Sequence, residues 1–286
     1  MNLKEISAFT TGLLDAPQNR VAREAALSDD LVGLKMFDFV EIGAVRADDG
    51  YFARCRAPEI VGPQFMLPGD WLAEAKSVLS IFFKFTERVM KSSAALPAWP
   101  SNEWLHARIE GQMFINWAMD ALAGKLTQGG YPSLAPSSDR RFLSAQKKPG
   151  VKAFSNSSFT SNWSERHVAF ICGLGTFGLS KGLITKAGMS GRFGSLVSAL
   201  DLPPTGREYS EVYEYCIMCG KCAKNCPPQA ISLEKGKNHS LCAEFLDRTA
   251  AKHAPRYGCG KCQVNVPCQN GIPGRKKIPL AADQHT

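Results

Sequence analysis

Nothing at the start of this 286-residue chain looks like an export signal. The opening MNLKEISAFTTGLLDAPQNR alternates charged with apolar residues, without the basic, apolar and small-residue succession of a secretory leader. It also lacks the twin arginine of exported redox proteins. Long apolar runs are missing: Val78 to Phe83 falls far short of the roughly 20 residues of a membrane span. These absences lead to the expectation of a cytoplasmic protein with no membrane contact. Cysteine is scarce over most of the length, since only Cys55 and Cys172 precede residue 216, and each reads as a buried, inert thiol. The other eight of the ten crowd between Cys216 and Cys268, where a reducing compartment makes metal ligation the better reading than disulfides. An apolar content of 44% suffices for a real core, in one large or two ordinary domains.

The crowded segment carries the chemistry. CIMCGKCAKNCP is C-x2-C-x2-C-x3-C-P on Cys216, Cys219, Cys222 and Cys226, the spacing by which three thiolates wrap one [4Fe-4S] cube while the fourth goes to a second. Short steps curl the backbone around the cluster and aim amide N–H groups at its sulfurs, and Pro227 stops the turn from continuing as helix. A four-cysteine zinc site is the alternative, but three thiolates at two-residue intervals followed by C-P are not a zinc spacing. The second cube then draws on Cys242, Cys259, Cys262 and Cys268. Exchange of ligands between motifs assigns Cys216, Cys219, Cys222 and Cys268 to one cluster and Cys226, Cys242, Cys259 and Cys262 to the other.

Charge agrees with a wire of this kind. From Arg207 onward twelve Lys and Arg face seven Asp and Glu, while each oxidised cube with its four thiolates carries about −2. The basic excess therefore roughly matches the clusters, and the formal +8 of the chain overstates what a partner feels. Nucleic acid is a possible but not a favoured partner. The run GRKK from Gly274 reads as a solvated tail or an electrostatic contact.

The first two hundred residues read as mixed α/β. Lys35 to Val45 and Ser77 to Phe85 are strand-like, Pro68 to Lys76 is a short helix opened by proline, and Ser195 to Leu202 is a further strand. From Asn102 to Thr127 two stripes at a spacing of four, Leu105, Ile109, Met113, Trp117 and Phe114, Ala118, Leu122, Leu126, predict a long helix buried on a wide face and ended by Gly129 and Gly130.

GLGTFG, from Gly173 to Gly178, matches a dinucleotide fingerprint, which requires a preceding strand and a following helix. Upstream, Asn162 as N-cap with Glu165 three residues on predicts a capping box and hence a helix before the glycines. Downstream, glycines at 182, 188, 191 and 194 exclude the long helix that would hold a pyrophosphate. Asp201 lies at a plausible distance for the ribose but near the end of a strand. The pattern instead removes side chains from one surface, for close approach to something flat or bulky.

The succession GLGTFG, GRFGSLVSALDLPPT, CIMCGKCAKNCP, a single cysteine and GCGKC resembles the epoxyqueuosine reductases and their relatives the reductive dehalogenases, from about LAEAKSVLSIFF to Cys268. The resemblance implies an α+β fold: a nitroreductase-like α/β domain over 1–205 that cradles base-off cobalamin, then a ferredoxin-like module with two [4Fe-4S] clusters over 206–286. It places Gly173, Gly175, Thr176, Phe177 and Gly178 against the corrinoid. It also implies an external low-potential electron donor of ferredoxin or flavodoxin type and a small-molecule or modified-nucleoside substrate.

Several positions depart from that pattern. The family's catalytic aspartate falls at or near Phe159, Leu179 replaces a lysine, and Cys268 follows Cys262 after five residues, with Pro267 before it. The chain ends at Thr286 without the helical-repeat extension of many epoxyqueuosine reductases. The expectation is a sister branch: a corrinoid-dependent iron-sulfur reductase of unidentified substrate. The alternatives are a corrinoid-free electron-transfer protein and a true epoxyqueuosine reductase acting on tRNA. Glu165, Arg166, His167 and Tyr131 are the candidate proton donors or orienting groups, each with a plain structural explanation as well.

Overall fold

The computed structural model describes residues 1–144 and 160–274. The helix α1 (Leu3–Leu13) opens on a capping box in which Asn2 and Glu5 satisfy each other's backbone N–H. The strand β1 (Phe37–Arg46) follows, then the short helices α2 (Gly50–Arg54) and α3 (Pro68–Trp71). The latter is one turn, shorter than the predicted Pro68 to Lys76, because Leu72 is already extended. Next come β2 (Ser77–Phe85), α4 (Glu87–Ala95), α5 (Asn102–Gln128) and β3 (Ser133–Leu134). After the undescribed stretch stand α6 (Glu165–Ile171), β4 (Gly175–Phe177), β5 (Leu183–Thr185) and β6 (Gly191–Ser198). The cysteine-bearing end holds α7 (Lys221–Lys224), the strands β7 (Ile231–Ser232) and β8 (Gly236–Lys237), and α8 (His239–His253).

The main sheet is antiparallel in the order β1-β2-β6-β3. Its centre is β2, whose near-continuous apolar run is what a strand covered on both faces requires. Alternation divides that run: Leu79, Ile81, Phe83 and Phe85 enter one core with α1, α4 and α5, while Val78 and Phe82 enter a second with α6 and the segment after it. The third predicted strand lies earlier than expected, at Gly191–Ser198, because Gly191 pairs with Lys84 and Gly194 with Ile81, so the glycines that excluded a helix here are part of the strand.

Helix α5 is capped by Ser101, whose hydroxyl accepts the N–H of Trp104 at 3.2 Å, and it ends at Gly129 as expected. Phe114, Ala118, Leu122 and Leu126 are fully buried. The other stripe fails in part, since Leu105 is buried but Met113 is 65% exposed. A spacing of four drifts by about 40° per step on a helix of 3.6 residues per turn, so the stripe rotates off the core face.

The C-terminal segment is fastened to both cores. Val264 belongs to the first, and Tyr209, Tyr215 and Val266 to the second. Arg256 pairs with Glu110 of α5, and Lys261, only 3% exposed, donates to the carbonyl oxygen of Ser93 in α4. Asn225 donates to the carbonyls of Val264 and Asn265 at 3.1 Å each, tying the first cysteine run to the last.

Candidate functional site

The eight cysteines divide between two cavities. Cys216, Cys219, Cys222 and Cys268 border one of about 20 Å³. Cys226, Cys242, Cys259 and Cys262 border another of about 720 Å³. The thiols influence one another within the same sets: Cys268 feels Cys216, Cys222 and Cys219, and Cys259 feels Cys262, Cys242 and Cys226. Cys222 also feels Cys262, which marks where the two sets approach. Burial, reinforced by these neighbours, pushes Cys222 up to about 11 and Cys259 and Cys268 up to about 12. Such sulfurs become thiolates only beside a cation, so the donor sets suit iron, which supplies the missing positive charge. Among the described residues no three His, Cys, Asp or Glu side chains converge on a single-ion site; the sulfurs border spaces instead.

Local backbone serves these sulfurs. The N–H of Leu179 points at Cys216 Sγ at 3.4 Å and that of Ala230 at Cys226 Sγ at 3.3 Å, the amide–sulfur contacts expected from the motif. Among the described residues the non-glycine positions of positive φ are Lys181, Met218, Gln229 and Asn265. Three of them lie in the cysteine loops and the fourth lines the large cavity, so backbone strain is concentrated where cofactors would be held.

The large cavity joins the two halves of the chain, and Glu165, Arg166 and His167 line it together with the second cysteine set. The predicted capping box does not form. Ser164 is the N-cap of α6, without a side-chain cap, and Asn162 instead accepts the N–H of Leu143 and donates to the carbonyl of Arg141, both at 2.8 Å. Glu165 is thereby freed, and among the described residues neither of its buried carboxylate oxygens has a partner at hydrogen-bond geometry, Ser195 being the polar side chain nearest in influence. Burial raises its pKa to about 7. Ser195 opposes this weakly; its hydroxyl accepts the indole N–H of Trp163 at 2.8 Å. His167 shares a hydrogen bond with Ser164 Oγ at 2.7 Å, and burial, then Arg166 and Lys181, lower it to about 4, so its ring is neutral at physiological pH.

Opposite charge to a cluster is plentiful in this cavity. Arg166 lies within electrostatic reach of Cys262 and Cys242, and its exposure is that of a cavity wall. Arg192 donates to Gln112 Oε1 at 3.0 Å through Nε, and burial, then Arg108, lower it to about 9. Arg108 stacks its guanidinium over Tyr257 at 4.3 Å. Lys181 donates to the hydroxyl of Tyr213. Arg108, Arg192, Lys181 and Tyr213 were not singled out in the sequence; they come from α5, β6, the β4–β5 turn and the loop before α7, and only the sheet topology and the docked C-terminal segment bring them together.

One expectation is corrected. The glycine run does not clear a face for a ligand: a Cβ on Gly173, which has φ +85°, would meet Gly206 O at 2.0 Å, and one on Gly175 would meet Ile184 O at 1.9 Å. These glycines admit other backbone. Of the five residues from that run, Phe177 lines the large cavity and Gly178 the small one, while Gly173, Gly175 and Thr176 line neither. Tyr131, 37% exposed in the turn after α5, does not line the large cavity. Cys55 and Cys172 are buried as expected. Phe159 and residues 275–277 of the basic run lie outside the described residues. As for the fingerprint, α6 precedes the glycines and the strand β4 runs through them, unlike the strand-then-helix order of a dinucleotide fold.

Comparison with known proteins agrees with this anatomy. A 4Fe-4S binding domain family matches residues 210–232, which include Cys216, Cys219, Cys222 and Cys226. No curated protein matches the chain. Among solved structures it is similar to an epoxyqueuosine reductase with an epoxyqueuosine-modified tRNA stem loop, at 17% identity and a TM-score of 0.54 over 96% of this chain and 67% of that one. It is also similar to a catabolic reductive dehalogenase, at 16% identity and a TM-score of 0.52 over 95% of this chain and 37% of that one. A further reductive dehalogenase, whose structure suggests a mechanism for B12-dependent dehalogenation, matches at 15% identity and a TM-score of 0.50, with 94% and 37% covered. The chain therefore has the fold of these reductases with a 4Fe-4S module, and spans little over a third of the dehalogenases' length. No helix among the described residues is long and apolar enough to cross a membrane.

Proposed function

We propose that the chain is an oxidoreductase in which two [4Fe-4S] clusters carry electrons to a corrinoid bound in the 720 Å³ cavity, for reduction of a small-molecule substrate. The observation that carries this reading is that Cys226, Cys242, Cys259 and Cys262 open onto the same cavity as Glu165, Arg166 and His167. Its volume suits a cofactor-sized ligand, and the aromatic rings of Phe85, Trp104, Phe170 and Phe177 supply the apolar wall that such a ligand packs against. A corrinoid, when bound, supplies a cobalt centre for reduction of the substrate. The chain's own residues hold it, exclude water and manage charge: Arg166 balances the neighbouring thiolates, and Glu165 is the group able to carry a proton at neutral pH.

Anaerobic reconstitution tests the reading. About eight irons per chain are expected, followed by stoichiometric uptake of cob(II)alamin with the electron paramagnetic resonance signature of the base-off form. Full iron loading without corrinoid uptake would leave the electron-transfer alternative in its place.

Glu165 gives a pH signature of its own. Its folded pKa near 7 lies above the ordinary 4.5, so the folded state holds the extra proton between those values, and stability from this group falls as pH rises from about 4.5 through 7. Glu165→Gln should therefore be more heat-stable than the parent at pH 8 and lose that advantage at pH 4.5, as followed by thermal melts. If the carboxylic acid donates a proton, turnover of the parent declines above pH 7 and the variant loses both rate and that decline. Superimposable stability–pH curves would show that the carboxyl is not held protonated.

A further inference from the structure

The two cysteine sets differ in what lies outside them. Cys219 is exposed, and it is the only one of the eight that is. It sits in a patch of unusually bare apolar side chains, with Ile217 55%, Met218 42% and Leu233 61% exposed. Leu233 is brought there by the turn between β7 and β8, and a Cβ on Gly220 would lie 3.5 Å from its Cδ1. Lys221 and the exposed Lys224 of α7 follow Gly220 in the chain, and the exposed Lys235 lies two residues after Leu233 in the same turn, with Glu234 between them. Glu214, the nearest upstream carboxylate, is engaged with its own loop, accepting the backbone N–H of Ser210 at 2.9 Å. The other set faces the large internal cavity.

We propose that the face of Ile217, Met218, Cys219 and Leu233, rimmed by Lys221, Lys224 and Lys235, docks an acidic one-electron carrier protein that reduces the cluster of Cys216, Cys219, Cys222 and Cys268. The proposal rests on the two-cluster reading above. An exposed ligand brings a cluster within electron-transfer distance of a partner's cofactor, the apolar centre gives contact area for a small transient interface, and the lysines steer an acidic surface. The step is balanced by itself: the carrier loses one electron, the cube goes from its 2+ to its 1+ state, and no bond or proton is exchanged. The electron then has its onward route where Cys222 approaches Cys262.

Stopped-flow reduction of the iron-loaded, full-length protein by a reduced acidic ferredoxin tests this, with photoreduced deazaflavin as a small reductant that needs no docking. The rate with ferredoxin should fall as salt rises. Lys224→Glu combined with Lys235→Glu should slow it by about tenfold or more at low ionic strength, and the corresponding Gln pair by less, in graded order. Reduction by deazaflavin and the cluster midpoint potential should stay unchanged. A double charge reversal as fast as the parent, a parent rate indifferent to salt, or a loss fully matched by a shifted potential would each overturn the docking face. Failure of deazaflavin to reduce two clusters in the parent would instead sink the two-cluster reading and this proposal with it.

Discussion

Gly175→Val is expected to destabilise the whole chain strongly, cluster assembly included, and not merely to block a ligand. The added Cβ would stand 1.9 Å from Ile184 O, 2.7 Å from Ile184 C and 3.0 Å from Thr185 Cα, all backbone atoms of the strand that pairs with β4. A side chain can turn aside from such an overlap, but a paired strand cannot. The strand also carries the approach to the first cysteine. The hydroxyl of Thr176 accepts the N–H of Tyr215 at 2.9 Å, one residue before Cys216, and the N–H of Phe177 donates to Val212 O at 2.8 Å. Parting β4 from β5 therefore displaces the start of the cluster motif as well. Overpacking typically costs about 1–3 kcal/mol, and the need to move paired backbone puts this site at or above the upper end, a large fraction of the ~5–15 kcal/mol by which domains are stable. Gly12→Ala, in the last turn of α1 where an added Cβ meets nothing within 4 Å, is the matched control and should leave stability equal or raised by up to about 0.5–1 kcal/mol. Circular dichroism melts and iron analysis on both variants decide. A Gly175→Val protein that melts like the parent and has lost only corrinoid binding would restore the cradle reading of the glycine run.

The second large effect concerns Cys226. It lies in the same motif as Cys216, Cys219 and Cys222 but borders the cavity of the other set. Cys226→Ala should reduce iron from about eight to about four per chain and leave the cluster of its sequence neighbours in place. Pairs of substitutions make the assignment decisive. Adding Cys242→Ala should cost nothing further, because both ligands belong to one cube, whereas adding Cys268→Ala should remove the remaining iron. The opposite ranking of the two pairs would mean that the ligands partition by motif and not by cavity. Binding of iron is a substantial share of such a module's folding energy, so the cluster-free double variant should also lose its near-UV signal between Tyr209 and Val266.

Local and periodic features were legible in the residues. The apolar run of β2, the extent of the long helix α5 and the presence of a helix ahead of the glycines depend on residues close together in the chain and appear as expected; the cysteine spacing is local in the same way. What failed depended on distant partners. Glu165 read as a cap because Asn162 stands three residues before it, yet Asn162 is held by Arg141 and Leu143, across the undescribed stretch. The glycines read as a ligand face because the strand that fills the space begins only at Leu183. The cationic wall was invisible for the same reason, since Arg108 lies on α5 and Arg192 on β6, 84 positions apart by their numbering.

The placement of Val264, Tyr209, Tyr215 and Val266 in the two cores bears on how the chain is made. During synthesis from the N terminus, the apolar seats of these four residues stay open until they have left the ribosome, whatever the earlier helices and strands have achieved. The sheet, whose last strand ends at Ser198, can pair earlier, but the two cores cannot be completed ahead of the cysteine segment, so iron supply and tertiary closure fall in the same late interval of translation. A cell short of iron would accumulate chains with exposed apolar surface, substrates for chaperones and proteases, and the abundance of the protein would follow iron availability without any regulation of its transcription.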